Sequence, residues 1–515
     1  ALYEPVKHAT IAVYGDYEGK LVVWPGLVPA LGWSLGSLSV GLLLLWRREL
    51  LDGAIALVGR VTRYLPTAEG SFRRFVSGLL SFLLLAAALT PAADMRGGEL
   101  LHSLRALAQP LRDADDLGPL LAAAGEARLV LLGEASHGTR EFYVWRDRLS
   151  RRLIREGGFS FIAIEGDWAA LLPLDRYVRH HQLAPVSAAH ALLQVRRWPR
   201  WVWANAELAA LGEWLRTFNR GRPADRRVGI HGMDLYAVWE SLDAIRAFYR
   251  RRAPDVATSV DSVLGFLRSF DGDARGYADY VRRTGRSAQR EVAWVARDLA
   301  RRQRDAAPAD RDALFEVMQH AKVLESGERY LRWLHLRGPW SWNVRADHFE
   351  RTVARLLDHY GAGSRAIVWA HNTHIGDARA TNRVDAGEVN IGQLARERFG
   401  RDAVFAVGFG TATGSVLAAR RWEGVRRTMW TPLPRRDSLE AALLAAGGGD
   451  RVLILAPGSP ATHALSRTLP HRAIGVVFDP RRERALNYVP SRLPERYDAF
   501  VFLPQTRALA PLHAE

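Results

Sequence analysis

The chain has 515 residues, and its 71 basic and 55 acidic side chains give a formal net charge of +16. A hydrophobic fraction of 48% with 24% charged residues is typical of globular proteins and excludes a disordered or fibrous one. The absence of cysteine excludes disulfides, thiolate-bound metals and thiol nucleophiles. Nearly all basic residues are arginine, and no basic stretch of the RNA-recognition type is present, so we expect no nucleic-acid partner.

Two uncharged apolar stretches lie within residues 1–97, at 21–46 and 75–93. Each is long enough to cross a hydrocarbon core of roughly 30 Å as a helix. The loop between them carries six arginines and three acidic residues, so the positive-inside rule places it in the cytoplasm. These stretches predict association of residues 1–97 with a membrane, or an export signal in the second stretch, and hence a membrane-anchored or exported protein.

Two features of the same segment qualify that prediction. The first methionine is Met95, and if translation begins there we expect a cytoplasmic protein without residues 1–94. A Gly-x-Ser-x-Gly pattern at 32–36 is typical of the nucleophile elbow of α/β-hydrolases. Because this pattern lies inside the stretch 21–46, we interpret it as small residues of a membrane helix.

From residue 98 onward, short apolar runs alternate with amphipathic stretches. The runs are typical of buried strands and lie at 128–134, 160–166, 227–234, 365–372, 403–410, 452–456, 473–478 and 498–503. Amphipathic helices are predicted at 139–156, 204–219, 238–251 and 341–360. The segment 255–336 has helical period without a strand, so we predict a helical insertion there. The pattern predicts an α/β domain over 98–515, with a mostly parallel sheet flanked by helices.

Four of the predicted strands run into titratable side chains near their carboxyl ends. These side chains are Glu134 and His137 after the first strand, Glu165 on the second, His231 on the third, and His371 and His374 after the fourth. Because ligands bind beyond the carboxyl ends of parallel strands, we expect all six side chains to share one crevice.

The first of these strand ends leads into the helix predicted at 139–156. His137 precedes that helix, whose first amide groups point outward and disfavour a protonated imidazole. We therefore expect a neutral His137 that acts as a general base. Arg146 shares a helix face with Thr139 and Phe142, so we expect its guanidinium to reach the crevice and keep a carboxylate ionised or bind an oxyanion.

Two further groups of polar residues open helices beside the crevice. Asn205 and Glu207 begin the helix predicted at 204–219, and we expect them to rim the site and contact substrate. Asn343, Arg345 and Asp347 open the helix at 341–360. Helix capping and surface ion pairs explain both groups equally well.

Together these residues resemble a known family. The stretch GEASHGTREF with Arg146 nine residues after its histidine, followed by IAIEGDW, NAELAALGEWLRTFN and VWAHNTHI, is similar to the erythromycin esterase family. The resemblance runs from about residue 99 to 500. It implies that His137 activates water for attack on an ester carbonyl. The other site residues that it implies are Glu134, Arg146, Glu165, His371 and, more loosely, His374.

The helix at 341–360 departs from that resemblance. It reads NVRADHFERTV, where the family pattern has an adjacent Arg-Asp pair, and Ala346 separates Arg345 from Asp347 here. The resemblance therefore supports no site role for these two residues.

The resemblance implies hydrolysis of an ester or lactone, with macrolide lactones as the namesake substrate and no cofactor. Direct attack by water agrees with the absence of cysteine and of a serine in an elbow. Two alternatives stay open. Glu134, His137, His371 and His374 are residue types that could instead hold a divalent metal, which would activate the same water. The same histidines could also bind haem or another large ring in a protein that is not an enzyme.

Overall fold

The computed structural model describes residues 98–307, 310–336, 338–456 and 458–513. The predicted segment 1–97, with its two apolar stretches and its Gly-x-Ser-x-Gly pattern, lies outside these residues. Within the described ranges, no helix combines the length and apolar character needed to cross a bilayer.

Eleven strands are described in this part of the chain. They are β1 Ala108–Pro110, β2 Leu129–Leu132, β3 Phe161–Asp167, β4 Gly229–Asp234, β5 Ala366–Trp369, β6 Val404–Ala419, β7 Arg426–Thr431, β8 Arg451–Ile454, β9 Leu469–Arg472, β10 Tyr488–Ser491 and β11 Ala499–Thr506. Nine of them form one sheet, in the order β1-β8-β11-β6-β2-β5-β3-β4 with β7 paired to β6, and β9 pairs with β10.

The centre of this sheet is parallel. The five neighbouring pairs from β11 through β6, β2, β5 and β3 to β4 are all parallel. The pairs β1–β8, β8–β11 and β6–β7 are antiparallel. The structure thus confirms an α/β fold with a central sheet flanked by helices, and it shows that antiparallel strands extend a parallel centre.

The described helices cover both faces of the sheet. They are α1 Gly118–Ala124, α2 Arg140–Gly157, α3 Trp168–Val178, α4 Ala188–Leu193, α5 Ala206–Phe218, α6 Val238–Arg252, α7 Pro254–Arg268, α8 Ala274–Thr284, α9 Gln289–Arg304, α10 Arg311–Arg332, α11 Trp340–Tyr360, α12 Asn372–Ile375, α13 Ile391–Phe399, α14 Leu439–Ala446, α15 Pro460–His463, α16 Glu483–Leu486 and α17 Leu493–Arg496. Residues 98–107 are also helical.

Alternation along the strands builds two hydrophobic cores. In β2, Val130 and Leu132 pack into one core, whereas Leu129 and Leu131 pack into the other. Helices α2 and α5 cover the first face, and α11 and α13 cover the second. A third core joins α6 to α10, and the described helices of the segment 255–336, where the sequence predicts a helical insertion, pack in this core. A parallel sheet covered on both faces leaves the ends of its strands as the place for a site.

One predicted strand is wrong. Residues 473–478 form no ladder, and the strand β9 lies just before them and pairs with β10. Ile474 and Phe478 are apolar for another reason, because they pack with Val416 and Met429 in a small core beneath the β6–β7 hairpin. The bounds of β6 also differ, since this strand runs nine residues beyond the predicted end at 410.

Candidate active site

Four strand ends meet at one edge of the sheet. Strands β2, β5, β3 and β4 are adjacent and parallel, so their carboxyl ends lie side by side. Glu134 follows β2, Glu165 lies near the end of β3, His371 follows β5, and Asp234 ends β4. The structure therefore brings these side chains together. The positions of Glu134, Glu165 and His371 along the chain predicted this, whereas Asp234 was not among the predicted residues.

Glu134 joins a histidine to an arginine. Its Oε1 accepts a hydrogen bond from Nδ1 of His137 at 2.8 Å, and its Oε2 accepts one from Nη2 of Arg146 at 2.6 Å. The guanidinium of Arg146 lies 4.3 Å from the ring centroid of Tyr143 and 4.6 Å from that of Trp369. Because the Nδ1–H of His137 donates a hydrogen bond to Glu134, Nε2 is the ring nitrogen left to accept a proton.

The turn that carries His137 is fixed by backbone contacts. The N–H of Leu417 on β6 donates to the carbonyl of Gly138 at 3.0 Å, and the N–H of Ile474 donates to that of Ala135 at 2.8 Å. A Cβ atom at position 138 would overlap the carbonyl of Leu417, so only glycine fits there. The imidazole is thus held by its carboxylate partner and by a clamped backbone.

The pKa of His137 shifts in the direction opposite to that expected from a helix N-terminus. Burial by itself lowers the pKa of His137, but its hydrogen bond to Glu134 and the charge of Glu165 outweigh burial, and the pKa is raised above its ordinary value. Helix α2 begins three residues later, at Arg140, so a carboxylate rather than a helix terminus dominates this ring. The His137 side chain is 15% exposed, against 3% for Glu134, so substrate can reach the histidine but not its partner.

Glu165 lies in a second buried charge cluster. Its Oε1 accepts from Nη2 of Arg345 at 2.7 Å, and its Oε2 accepts from the N–H of His371 at 2.8 Å. The same guanidinium donates from Nε to Oδ1 of Asp234 at 2.9 Å. Burial would raise the pKa of Glu165, but His374 and Arg345 hold it well below its usual range. Glu165 is therefore a permanent anion that orients its neighbours.

The ring of His371 lies next to the ring of His137. The two ring centroids lie 4.9 Å apart. Nδ1 of His371 accepts hydrogen bonds from the hydroxyl of Thr373 at 2.9 Å and from its N–H at 3.3 Å, which leaves the ring proton on Nε2. Burial, and then the neighbouring His137, lower the pKa of His371 well below its ordinary value. Nε2 of His371 is itself buried. A neutral imidazole protonated there is a hydrogen-bond donor of the kind that stabilises an oxyanion.

His374 completes the cluster around Arg345. Its Nε2 accepts from Nη1 of Arg345 at 3.0 Å, and its ring stacks on Trp342 with centroids 4.6 Å apart. Burial lowers the pKa of His374, and the neighbouring Glu165 opposes that shift. We conclude that His374 holds Arg345 in place, whereas the rings of His137 and His371 lie next to each other.

His231 does not belong to this site, although its strand does. Its Nε2 bonds to the hydroxyl of Tyr360 at 2.9 Å, its ring stacks on Trp168, and its Nδ1 lies 3.6 Å from Oδ1 of Asp175. Burial lowers its pKa to about 4. Asp234 follows three positions later at the end of β4, and its carboxylate is the one that reaches the site, where it accepts from Arg345.

Asn205 and Glu207 also have structural partners instead of a place in the crevice. The Asn205 side chain accepts from the N–H of Leu208 and donates to the carbonyls of Trp201 and Val202, so it caps α5 with all its polar atoms engaged. Glu207 pairs with Arg140 at 3.1 Å. The helix-capping and ion-pair interpretation therefore accounts for the contacts of both residues.

The opening of α11 gives the opposite result for one of its three residues. Asn343 holds the backbone of Gly387 and Val389, and Asp347 pairs with Arg329 and Arg351. Arg345, by contrast, lies at the centre of the site. Although Ala346 separates Arg345 from Asp347 in this helix, Arg345 still lies in the site.

A second arginine and two carboxylates are the site residues that sequence reasoning missed. Arg197 donates from Nε to Oδ2 of Asp167 at 2.5 Å. Asp167 is paired in register with Asp234, and burial raises the pKa of its carboxyl. Asp234 and Asp167 each end a strand, which is the signal that could have found them; Arg197 stands in a run of arginines with no such signal.

The carboxylates of the site are already engaged by cations and amides. In the part of the chain that the structure describes, no group of three or more histidine, aspartate or glutamate side chains could hold a metal ion. Both oxygens of Glu134 and both of Glu165 accept hydrogen bonds from protein groups. This donor set does not fit the divalent metal considered from the sequence.

Comparison with known proteins adds the family. A family model described as erythromycin esterase matches residues 154–506. The chain belongs to the erythromycin esterase family. The match covers Glu165, Arg345, His371 and His374 but begins after Glu134 and His137, which rest on the sequence resemblance and on the geometry of the site. The family is one of ester hydrolases.

Individual members and solved structures are more distant. Erythromycin esterase type II of Escherichia coli is 24% identical over 169 residues, which are 32% of this chain and 38% of that protein. The chain thus matches well under two thirds of that relative's length.

Three solved structures share the fold. A Bacillus cereus protein has a TM-score of 0.69 at 18% identity over 81% of this chain and 99% of its own. A succinoglycan biosynthesis protein has 0.66 at 20% over 80% and 97%. A mutant of the erythromycin esterase EreC in its open conformation has 0.56 at 19% over 78% and 96%.

Proposed function

We propose that this protein hydrolyses a carboxylic ester or lactone by direct attack of water, with His137 as the general base. The observation that carries the proposal is the Glu134–His137 pair. One nitrogen of the ring is held by a buried carboxylate, while the ring itself remains accessible from the crevice. A base must reach the proton it removes and must be basic enough to take it. The raised pKa of His137 supports the second requirement.

The reaction needs no covalent intermediate. Nε2 of His137 takes one proton of a water molecule as the water oxygen forms a bond to the carbonyl carbon. The carbonyl π electrons move to oxygen and give a tetrahedral anion. When that anion collapses, the bond to the leaving oxygen breaks, and the imidazolium returns the proton to the leaving alkoxide. The products are an acid and an alcohol, or one hydroxy acid from a lactone.

Three groups support the charge that develops in these steps. Glu134 stabilises the imidazolium of His137, as a buried carboxylate does for a catalytic histidine. We propose that the Nε2–H of His371 donates to the oxyanion, because Nδ1 of this ring accepts from Thr373 and the lowered pKa favours a neutral ring. Arg345 holds Glu165 ionised, and Glu165 in turn fixes the backbone of His371.

The substrate class comes from the family alone. The curated relative is named an erythromycin esterase, and we propose a macrolide-like lactone or another ester with a large apolar part as the substrate here. A role in resistance to such antibiotics would follow from that substrate. The site geometry supports attack on an ester carbonyl but does not select one ester.

The proposal is tested by hydrolysis of an ester panel that includes macrolides. We expect the full chain to hydrolyse at least one member, with activity unaffected by EDTA. His137→Asn should abolish turnover, whereas His231→Gln serves as the control, because it alters a histidine of the adjacent strand end that bonds to Tyr360 outside the crevice. Equal activity of wild type and His137→Asn would overturn the mechanism, and loss of wild-type activity in EDTA would favour the metal-dependent alternative.

A further inference from the structure

Two tryptophans from separate parts of the chain meet at the surface. Trp198 lies in the segment that precedes α5, and Trp422 lies in the turn between β6 and β7. Their ring centroids are 4.6 Å apart, and Trp198 also contacts Trp201 with centroids 5.4 Å apart. Trp422 is 58% exposed and Val425 beside it is 66% exposed. We call Trp198, Trp201 and Trp422 the indole rim. Trp201 itself is 3% exposed and belongs to the first core, so the exposed part of the cluster is Trp422 with Val425 beside it. Exposed apolar surfaces of this kind commonly bind a ligand or partner.

The segment 197–203, which carries Trp198 and Trp201, is anchored to the candidate active site. Arg197, the residue next to Trp198, bonds to Asp167 at 2.5 Å. At the other end of the same segment, Nε1 of Trp203 donates to the carbonyl of Glu165 at 2.9 Å. Segment 197–203 is therefore attached at both ends to the carboxyl end of β3. Trp198 and Trp201 lie between these two attachments.

The turn between β6 and β7, which carries Trp422, follows a strand that is anchored beside His137. Leu417 on β6 bonds through its N–H to the carbonyl of Gly138, the residue after His137. Trp422 follows five residues later, which limits its backbone to about 18 Å from that contact. Trp198 Nε1 donates to the carbonyl of Gly424, so the turn and the segment 197–203 are held together. The indole rim thus joins two elements that each touch the site.

We propose that the indole rim binds the apolar acyl or ring part of the ester whose carbonyl is attacked at His137. This inference rests on the proposed function and adds the specificity-determining residues to it. Continuity with the site favours this occupant, because both elements of the rim are fixed to residues around the crevice. Aromatic surfaces bind extended apolar groups through area and dispersion, and such contacts discriminate between ligands by length and bulk.

A series of esters with one leaving group tests the proposal. In p-nitrophenyl acetate, butyrate and octanoate only the apolar part of the substrate changes. We expect Trp422→Ala in the full chain to lower kcat/KM for the octanoate about 10-fold, mainly through KM, and to change the acetate less than about 2-fold. Trp422→Phe should recover most of the octanoate activity. Trp430→Ala is the matched control, because Trp430 is 63% exposed on β7 and makes no ring contact with the indole rim among the described residues.

A binding measurement separates the indole rim from catalysis. In the His137→Asn protein, quenching of tryptophan fluorescence by p-nitrophenyl octanoate gives the Kd of this ester. We expect that Kd to rise about 10-fold when Trp422→Ala is added. If the wild-type chain hydrolyses no ester, the proposed function is overturned, and this titration still decides whether the rim binds apolar groups.

Three results would overturn the indole rim itself. The first is a Trp422→Ala protein that equals wild type in the titration and across the ester series. The second is an equal loss in Trp422→Ala and Trp430→Ala. The third is an unchanged ester series beside lost binding to phosphatidylglycerol vesicles, which would assign the exposed tryptophans to a lipid surface.

Discussion

Two glutamate–histidine pairs in this protein are linked by the same kind of hydrogen bond but differ in burial and in the partner of the second ring nitrogen. In the site, Nδ1 of His137 bonds to Glu134 at 2.8 Å, and behind it Nδ1 of His471 bonds to Glu440 at 2.6 Å. His471 is fully buried, and its Nε2 accepts from the side-chain amide of Asn372 at 3.1 Å. Burial lowers the pKa of His471, whereas that of His137 is raised.

The comparison shows that a histidine bonded to a carboxylate is not by itself a catalytic base. What differs is the second ring nitrogen. Nε2 of His471 is occupied by Asn372, whose amide also bonds to Phe409 of β6 and so ties α12 to the sheet. Nε2 of His137 faces the crevice. One pair therefore positions the backbone that carries His371, and the other is free to move a proton.

The largest effect that separates the two pairs is expected at His137. His137→Asn should lower kcat about 10²- to 10⁴-fold while the melting temperature stays within a few degrees of wild type. The reason is that this change removes the proton acceptor without opening the core. Steady-state rates beside a thermal melt are the measurement, and a folded variant with most of its activity would refute the assignment.

The converse effect is expected at the other pair. His471→Ala leaves the buried Glu440 without its partner and should cost about 3 kcal/mol of unfolding free energy. Its folded fraction should lose less than about 10-fold in kcat, because the change reaches the site only through Asn372. Denaturant unfolding measures the stability term. A stable His471→Ala protein with abolished turnover would show that this pair acts directly in the chemistry.

The pH dependence sharpens the comparison. His137 must be unprotonated to act as a base, so kcat/KM should fall as the pH drops through its raised pKa. Glu134→Gln removes the hydrogen-bonded anion that raises this pKa, and burial then lowers it. The acid limb of the profile should therefore move to lower pH in Glu134→Gln and stay in place in Glu440→Gln. A shift to higher pH in Glu134→Gln would contradict the electrostatic account.

The smallest effect is expected at His231. Its pKa of about 4 keeps the ring neutral near pH 7, and its contacts lie away from the crevice. His231→Gln should change kcat less than about 2-fold, with at most a modest loss of stability. A large drop in kcat at unchanged melting temperature would return this residue to the site.

Much of this architecture could be predicted from the sequence. Buried parallel strands are continuous apolar runs, so β2, β3, β4 and β5 were predictable, and with them the edge where Glu134, Glu165 and His371 meet. The strand at 473–478 was not, because its apolar residues serve a small core instead of a ladder.

Side-chain direction and long-range pairing limited the prediction of the site. His231 and Asp234 lie on one strand, and only the register of the sheet decides which of them reaches the crevice. Arg345 is one of many arginines, and its place depends on α11 packing across β4. The raised pKa of His137 depends on its hydrogen bond to Glu134, and the sequence does not show that these two side chains meet.

Chemical rescue tests most directly whether His137 is the base. We predict that imidazole added to the His137→Ala protein restores ester hydrolysis in proportion to the unprotonated imidazole present, because it can occupy the space beside Glu134 and take the proton from water. The same addition should leave the rate of the His471→Ala protein unchanged. If imidazole rescues neither variant, or raises both rates equally, His137 does not transfer the proton and the proposed mechanism is wrong.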